Sequence, residues 1–186
     1  MTWGQDTLKS FPDSSVADSD DDEYLEYILN AEGYHIARLD DNYANSYFYY
    51  TTDPLSNNWT QCTSRGYYFS YCNGYFIQTS SNSKYGFYYG DTPTSFTFKR
   101  IDNMGSDPSG PICYMNGLYM AYDSVYNNSI SAYNVVLYYC STINGTWSNK
   151  VITTRNSNVS VKMVNINNQT VLFVGNKMLI LSVSSN

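Results

Sequence analysis

The stretch SYFYYTTDPLSNNWTQ at 46–61 recurs in altered form as YGFYYGDTPTSFTF at 85–98 and as VVLYYCSTINGTWSNK at 135–150. Each copy holds a Tyr pair (Tyr49-Tyr50, Tyr88-Tyr89, Tyr138-Tyr139), then a polar turn, then a large aromatic: Trp59, Phe96 or Trp147. Ahead of each pair stands a second element, NAEGYHIARL at 30–39, YCNGYFIQTS at 71–80 and YMNGLYMAYD at 114–123. Its apolar runs flank Gly33, Gly74 or Gly117, and Asn-Gly between strand-like runs is the strongest short hairpin signal. A repeat in fixed order constrains the fold more than any single residue does. One unit reads strand, Gly turn, strand, loop, Tyr-pair strand, polar turn, aromatic strand. That is four antiparallel strands in roughly 40–50 residues, the size of a propeller blade.

A fourth unit starts near Val159, with Asn167-Asn168 in place of Asn-Gly and Gly175-Asn176 at the next turn. Its aromatic strand is missing. The segment MTWGQDTLKSF at 1–11 offers Trp3 followed by a strand-like run, as Trp59 and Trp147 are followed by theirs. The expected fold is therefore all-β: a small β-propeller of four blades, each of four antiparallel strands, closed by the N-terminal strand. Closure removes open sheet edges. The expected division is a closing strand at 1–11, an acidic insert at 12–32, and blades at 33–65, 66–109, 110–157 and 158–186. The competing reading is a Tyr-rich β-sandwich whose repeats are coincidental. The ordered triple of Gly turn, Tyr pair and aromatic speaks against it.

Composition agrees with this fold. The 186 residues suit one domain. Tyr occurs 21 times and Glu three times, a balance that disfavours helix and favours strands joined by polar turns. The net charge is −6, and eight of the 16 acidic residues lie between Asp13 and Glu32. No basic stripe exists, so nucleic acid is not an expected partner. No stretch has the pattern of a secretion signal, and no apolar run reaches membrane-spanning length, so membrane insertion is not expected either. Cys62, Cys72, Cys113 and Cys140 lack metal-type pairing and read as buried thiols. Five Asn-x-Ser/Thr sequons, at Asn58, Asn127, Asn144, Asn158 and Asn168, match the number that chance supplies and carry no information on glycosylation.

At Ser141–Trp147, STINGTW resembles the Asp-box turn of sialidase-like propellers, one residue short and with Asn144 near the Asp position. TTDPLSNNW at 51–59 and GDTPTSF at 90–96 are looser versions. In that family the box is a structural turn on the blade rim, so the resemblance implies propeller architecture and not catalysis. Small propellers of this kind are similar to glycan-binding lectins and to fibre or decoration proteins of phages, and the Tyr/Asn/Ser-rich, Glu-poor composition resembles the latter.

Catalytic equipment is sparse. A sialidase needs an arginine cluster, but of Arg38, Arg65, Arg100 and Arg155 three follow the aromatic strand of successive units, away from a propeller's axis. A glycosidase needs two acids facing across a sugar. Glu23, Glu26 and Glu32 share one segment, and no motif joins them to Asp53, Asp91 or Asp123. His35 is the single histidine, in a strand, without a Ser or Cys partner motif. DSDDDE at 18–23 begins like a calcium loop but has Glu23 where Gly is needed and Leu29 where Glu is needed. No metal site or cofactor is expected.

Surplus tyrosine is the better clue, because rigid amphipathic rings suit binding surfaces. Tyr67, Tyr68, Tyr71, Tyr75, Tyr122 and Tyr126 are the candidate binding residues. By strand alternation Tyr67, Phe69 and Tyr71 would share one face and Tyr68 the other. The expectation is a non-enzymatic structural or binding module, a phage virion component (decoration, fibre or baseplate). It would contact other proteins of the particle and a cell-surface glycan. The alternatives are a sialidase-like or other glycoside hydrolase, or a free lectin at the cell surface or outside the cell.

Overall fold

The computed structural model describes residues 24–41, 45–55, 58–62, 66–80, 85–158, 161–166 and 169–181. The expected closing strand at 1–11, with Trp3, and the acidic run at 18–23 lie outside them. The described residues form strands and connecting turns with no helix. Four successive antiparallel meanders make this an all-β, four-bladed β-propeller fold. The chain divides into two compact units, 1–65 and 66–186.

The first unit holds one blade: β1 (Tyr24–Ala31), β2 (Tyr34–Asp41), β3 (Asn45–Thr51) and the short β4 (Thr60–Gln61), in that order. β1 lies inside the segment expected to be acidic insert. Ile36, Ala37, Leu39, Phe48 and Tyr49 are buried.

The second unit holds three blades. β5 (Gly66–Cys72), β6 (Tyr75–Ser80), β7 (Gly86–Thr92) and β8 (Ser95–Arg100) form one. β9 (Cys113–Met115), β10 (Leu118–Asn127), β11 (Ala132–Cys140) and β12 (Ser148–Arg155) form the next. β13 (Val161–Ile166), β14 (Gln169–Val174) and β15 (Lys177–Leu181) form a three-stranded last blade. The leading strand β9 lies beside both β5 and β13, so the three leading strands converge.

The glycine turns carry the hairpins. Gly33, Gly74 and Gly117 take φ of 77°, 82° and 78°, and the residues before them, Glu32, Asn73 and Asn116, take 50°, 48° and 49°. Two consecutive left-handed residues are what a type I′ turn requires, and its twist matches that of the flanking strands. Asn and Gly enter this region at the least cost.

The Tyr pairs are explained by packing on both faces of a blade. Side chains alternate along a strand, so neighbouring tyrosines serve opposite faces. Tyr138 is buried with Ile77, Phe87, Tyr119 and Ala121, between the second and third blades. Tyr139 packs with Met120, Tyr122, Leu137 and Leu172, between the third and fourth. In the second blade Tyr89 lines the first of these cores, while Tyr88 turns to Phe98, with ring centroids 5.1 Å apart.

The three large aromatics are less alike than their spacing suggests. Trp147 is buried and packs its ring 5.5 Å from that of Phe87, in the Tyr-pair strand of the neighbouring blade. Phe96 is half-buried inside β8 and meets Phe69 of its own blade at 6.2 Å. Trp59 is half-buried just ahead of β4. The aromatics begin outer strands of different length and register, so they are not interchangeable. STINGTW forms the turn between β11 and β12. There Gly145 N–H donates to the Thr142 carbonyl at 3.0 Å, and Ile143 and Trp147 are buried.

Candidate functional site

A cleft of about 630 Å³ opens beside the leading strands of the second unit. Its wall comes from five places: Tyr68 on β5, the irregular loop that precedes β9, Tyr122, Asp123 and Ser124 on β10, Asn158 after β12, and the start of β13. The loop is held to β10 by a bond from Ser109 N–H to the Tyr122 carbonyl, 3.0 Å. Gly110 packs so tightly under the Tyr122 ring and hydroxyl that a Cβ there would collide with them. The Tyr122 hydroxyl lies 2.9 Å from the Ser109 carbonyl and 2.6 Å from the Val161 carbonyl, sharing its proton between the two. Burial, and then the nearby Tyr68, push its pKa far above the ordinary phenol range. Tyr122 at neutral pH is therefore a hydrogen-bond donor and not an acid.

Asp123 is the unusual group. Only 1% of it is exposed. Its Oδ1 accepts from Ser124 N–H at 2.7 Å and from Ser109 Oγ at 3.2 Å. Its Oδ2 is enclosed and has no protein donor. Leaving a buried oxygen unmatched costs about 1–3 kcal/mol, more when charged. The same carboxylate acts on Tyr138, whose pKa burial and then Asp123 raise to about 12. Ser106, Asn158 and Lys162 add polar groups to the cleft, and Pro111, Val161, Met163 and Val164 add apolar surface. Ser124 Oγ also reaches Asn158 Oδ1, 3.3 Å away.

Of the tyrosines expected to bind, Tyr68 and Tyr122 line this cleft. Tyr67 lines an adjoining depression. Tyr71 and Tyr75 are half-buried, against Phe76 and against Tyr89 and Tyr119. Tyr126 is exposed on the far part of β10, edge-on to Tyr133. Strand alternation fails at Tyr67 and Tyr68. Gly66 pairs with Ser80 and Phe69 with Gln78, so two residues of β5 stand opposite Thr79 alone. This is a β-bulge, and it leaves both tyrosines exposed while Phe69 is buried.

Among the described residues, Asp123 is the carboxylate that lines the cleft, and no group of three His, Cys, Asp or Glu side chains is placed to hold a metal. Asp53 instead accepts from Leu55 N–H in a turn, at 3.0 Å, and Asp91 is exposed on β7. Glu32 sits in a hairpin turn, and His35 lies on β2, paired with Asn30 and Thr51. Arg100 stacks over the Tyr85 ring at 5.5 Å and contributes nothing to the cleft. Ser106, Ser109, Ser124 and Lys162 carry no motif, and Asn158 only a sequon of the kind that chance supplies. Their one sequence signal is the run SDPSGP at 106–111, which marks an irregular loop of the kind that carries binding groups.

No family model matches the chain, and no curated protein matches it. Among solved structures it is similar to a "Bifunctional GH43-CE" of Bacteroides eggerthii, with 16% identity and a TM-score of 0.47. The match covers 82% of this chain and 22% of that one. No Asp-box family is found, and neither the fold nor the comparisons speak for a phage component. The expectation of a non-enzymatic module is corrected. No sequence motif joins two carboxylates on one cavity, and the structure brings one, Asp123, into the wall of a cleft.

Proposed function

We propose that this chain binds carbohydrate in the cleft at Asp123. The observation that carries the reading is the buried Asp123 carboxylate, held through Oδ1 and unmatched at Oδ2, in the wall of a cleft lined by hydroxyls, an amide and a tyrosine ring. Lys162 also lines the cleft, so one cation and one carboxylate stand there and the site suits a neutral ligand better than a phosphate or a polycation. Neutral sugars offer hydroxyl donors for a carboxylate and apolar ring faces for an aromatic. The volume falls within the range of roughly 300–1,000 Å³ typical of small-molecule sites.

The test is a glycan array with the full chain and Asp123→Asn, run beside a panel of chromogenic glycosides. Binding that Asp123→Asn removes supports the reading. Turnover removed by the same change extends it to hydrolysis, with Asp123 as one of the acids. Binding and turnover untouched by Asp123→Asn overturn it.

A further inference from the structure

Beside the main cleft lies a second depression of about 300 Å³, lined by Tyr67, Tyr68, Asp107, Pro108 and Ser109. The two share Tyr68 and Ser109. They are therefore neighbouring stations, with Tyr68 common to both. What opens the second station is the bulge in β5. In a regular strand one of two adjacent side chains would turn inward. Here the extra residue leaves Tyr67 and Tyr68 42% and 37% exposed, side by side.

The bulge is built into the surrounding structure. Tyr68 N–H donates to Thr79 Oγ1 at 3.1 Å, a side-chain bond in place of a ladder bond. Gly66 lies against the Thr79 carbonyl and the Gln78 side chain, where a Cβ would not fit. Gln78 and Thr79 are themselves fully buried. On the other wall, Asp107 Oδ1 accepts from Tyr85 N–H at 2.8 Å, which fixes the loop carrying Pro108 and Ser109. Two exposed tyrosines on a fixed bulge form a rigid platform, and stacking on rigid rings costs little side-chain entropy.

We infer that the ligand is an oligosaccharide of at least two units, which crosses Tyr68 from the Asp123 cleft onto the Tyr67 depression. This rests on the carbohydrate reading of the cleft and adds to it a chain-length requirement and a second subsite.

The probe is an array carrying mono- to hexasaccharide series of glucose, xylose, mannose, galactose and N-acetylglucosamine, followed by calorimetry on the series that binds. The wild-type chain should bind longer members more tightly than the monosaccharide. Tyr67→Ala should weaken the longer members about three- to tenfold and leave the monosaccharide unchanged. Asp123→Asn should weaken every member. If the wild-type chain binds the monosaccharide as tightly as the longer members, or if Tyr67→Ala leaves the length dependence intact, the second subsite is wrong. The Asp123→Asn loss would then still support the cleft. If Asp123→Asn changes nothing, the cleft reading itself fails. Absence of binding across all series overturns both. Tyr67 is exposed, so a melting temperature close to wild type for Tyr67→Ala shows that the fold is kept.

Discussion

The Tyr122 hydroxyl donates to the Val161 carbonyl across 2.6 Å and so joins the third blade to the leading strand of the fourth. The same hydroxyl reaches the Ser109 carbonyl. One phenol thus holds three walls of the cleft in register. Tyr122→Phe keeps the ring and its packing but leaves two carbonyls without their donor. The expected loss is about 1–3 kcal/mol, measured by urea denaturation. An unchanged midpoint would show that the blades are held without this bond.

Trp147 tests the packing between the second and third blades. It is 3% exposed and sits edge-on to Phe87, which is itself fully buried. Trp147→Ala opens a large cavity between blades, with an expected cost of about 3–5 kcal/mol. Phe96 is only half-buried, and Phe96→Ala should cost less. Equal losses at the two sites would restore the equivalence that their spacing suggests and their surroundings deny.

Much of the fold is legible in the sequence because its signals are local. Asn73-Gly74 and Asn116-Gly117 specify their turns by backbone geometry alone, and a Tyr pair encodes a strand packed on both faces. The cleft is less legible because its parts are distant. Asp123 and Ser109 meet only because β10 and the loop before β9 pair, and Lys162 arrives from another blade. Tyr67 and Tyr68 show a different limit. The extra residue of a bulge changes which side chains face solvent, and periodicity cannot see it. Gly66 was the available hint, since a glycine inside a strand pattern often marks such a bulge.

The hairpin glycines allow a clean measurement of backbone strain. Around Gly74 and Gly117 no atom beyond the adjoining residues lies within 4 Å of where a Cβ would stand. Gly74→Ala and Gly117→Ala therefore meet no clash, only the cost of a left-handed φ, roughly 1–2 kcal/mol each. Gly90→Ala should cost more, because its Cβ would run into the Ser95 carbonyl. Chemical denaturation of the three variants gives the ranking. A Gly90→Ala variant as stable as the hairpin variants would show that β7 and β8 can separate there at little cost.

Three thiols shape the alkaline behaviour of the fold: Cys62 is buried, and Cys72 and Cys113, expected to be buried, are half-buried. Burial pushes Cys62 and Cys72 up to about 12 and Cys113 to about 11, against 9.0 for a free thiol. A backbone hydrogen bond partly offsets the rise at Cys62, and a bond with Thr170 does so at Cys113. In the folded chain these groups stay protonated at pH 10, while in the unfolded chain they ionise. The unfolded state then binds fewer protons, so stability falls as pH rises. Their contribution is complete below about pH 9 and drains away between 9 and 12. The melting temperature should be level from pH 7 to 8.5 and decline above 9. Cys62 should be inert to a disulfide reagent at pH 8 and react only on unfolding, and the half-buried Cys72 and Cys113 should react slowly. Fast labelling of Cys62 in the folded chain at pH 8 would mean that this thiol is not buried.

Asp123 separates a binding role from a structural one. A carboxylate kept for stability should be fully matched, and loss of its charge should weaken the fold. Asp123 is instead enclosed with Oδ2 unmatched, an arrangement that costs stability and persists where function requires it. Asp123→Asn keeps an oxygen for Ser124 N–H and Ser109 Oγ and removes the buried charge. The variant should be at least as stable as the wild-type chain while losing ligand. Asp123→Ala also removes the acceptor of both bonds and should be less stable than Asp123→Asn by about 1–2 kcal/mol. The comparison needs denaturation of all three proteins at pH 7, without ligand. If Asp123→Asn were destabilised as much as Asp123→Ala, the charge itself would be holding the loop to β10, and Asp123 would belong to the scaffold instead of the site.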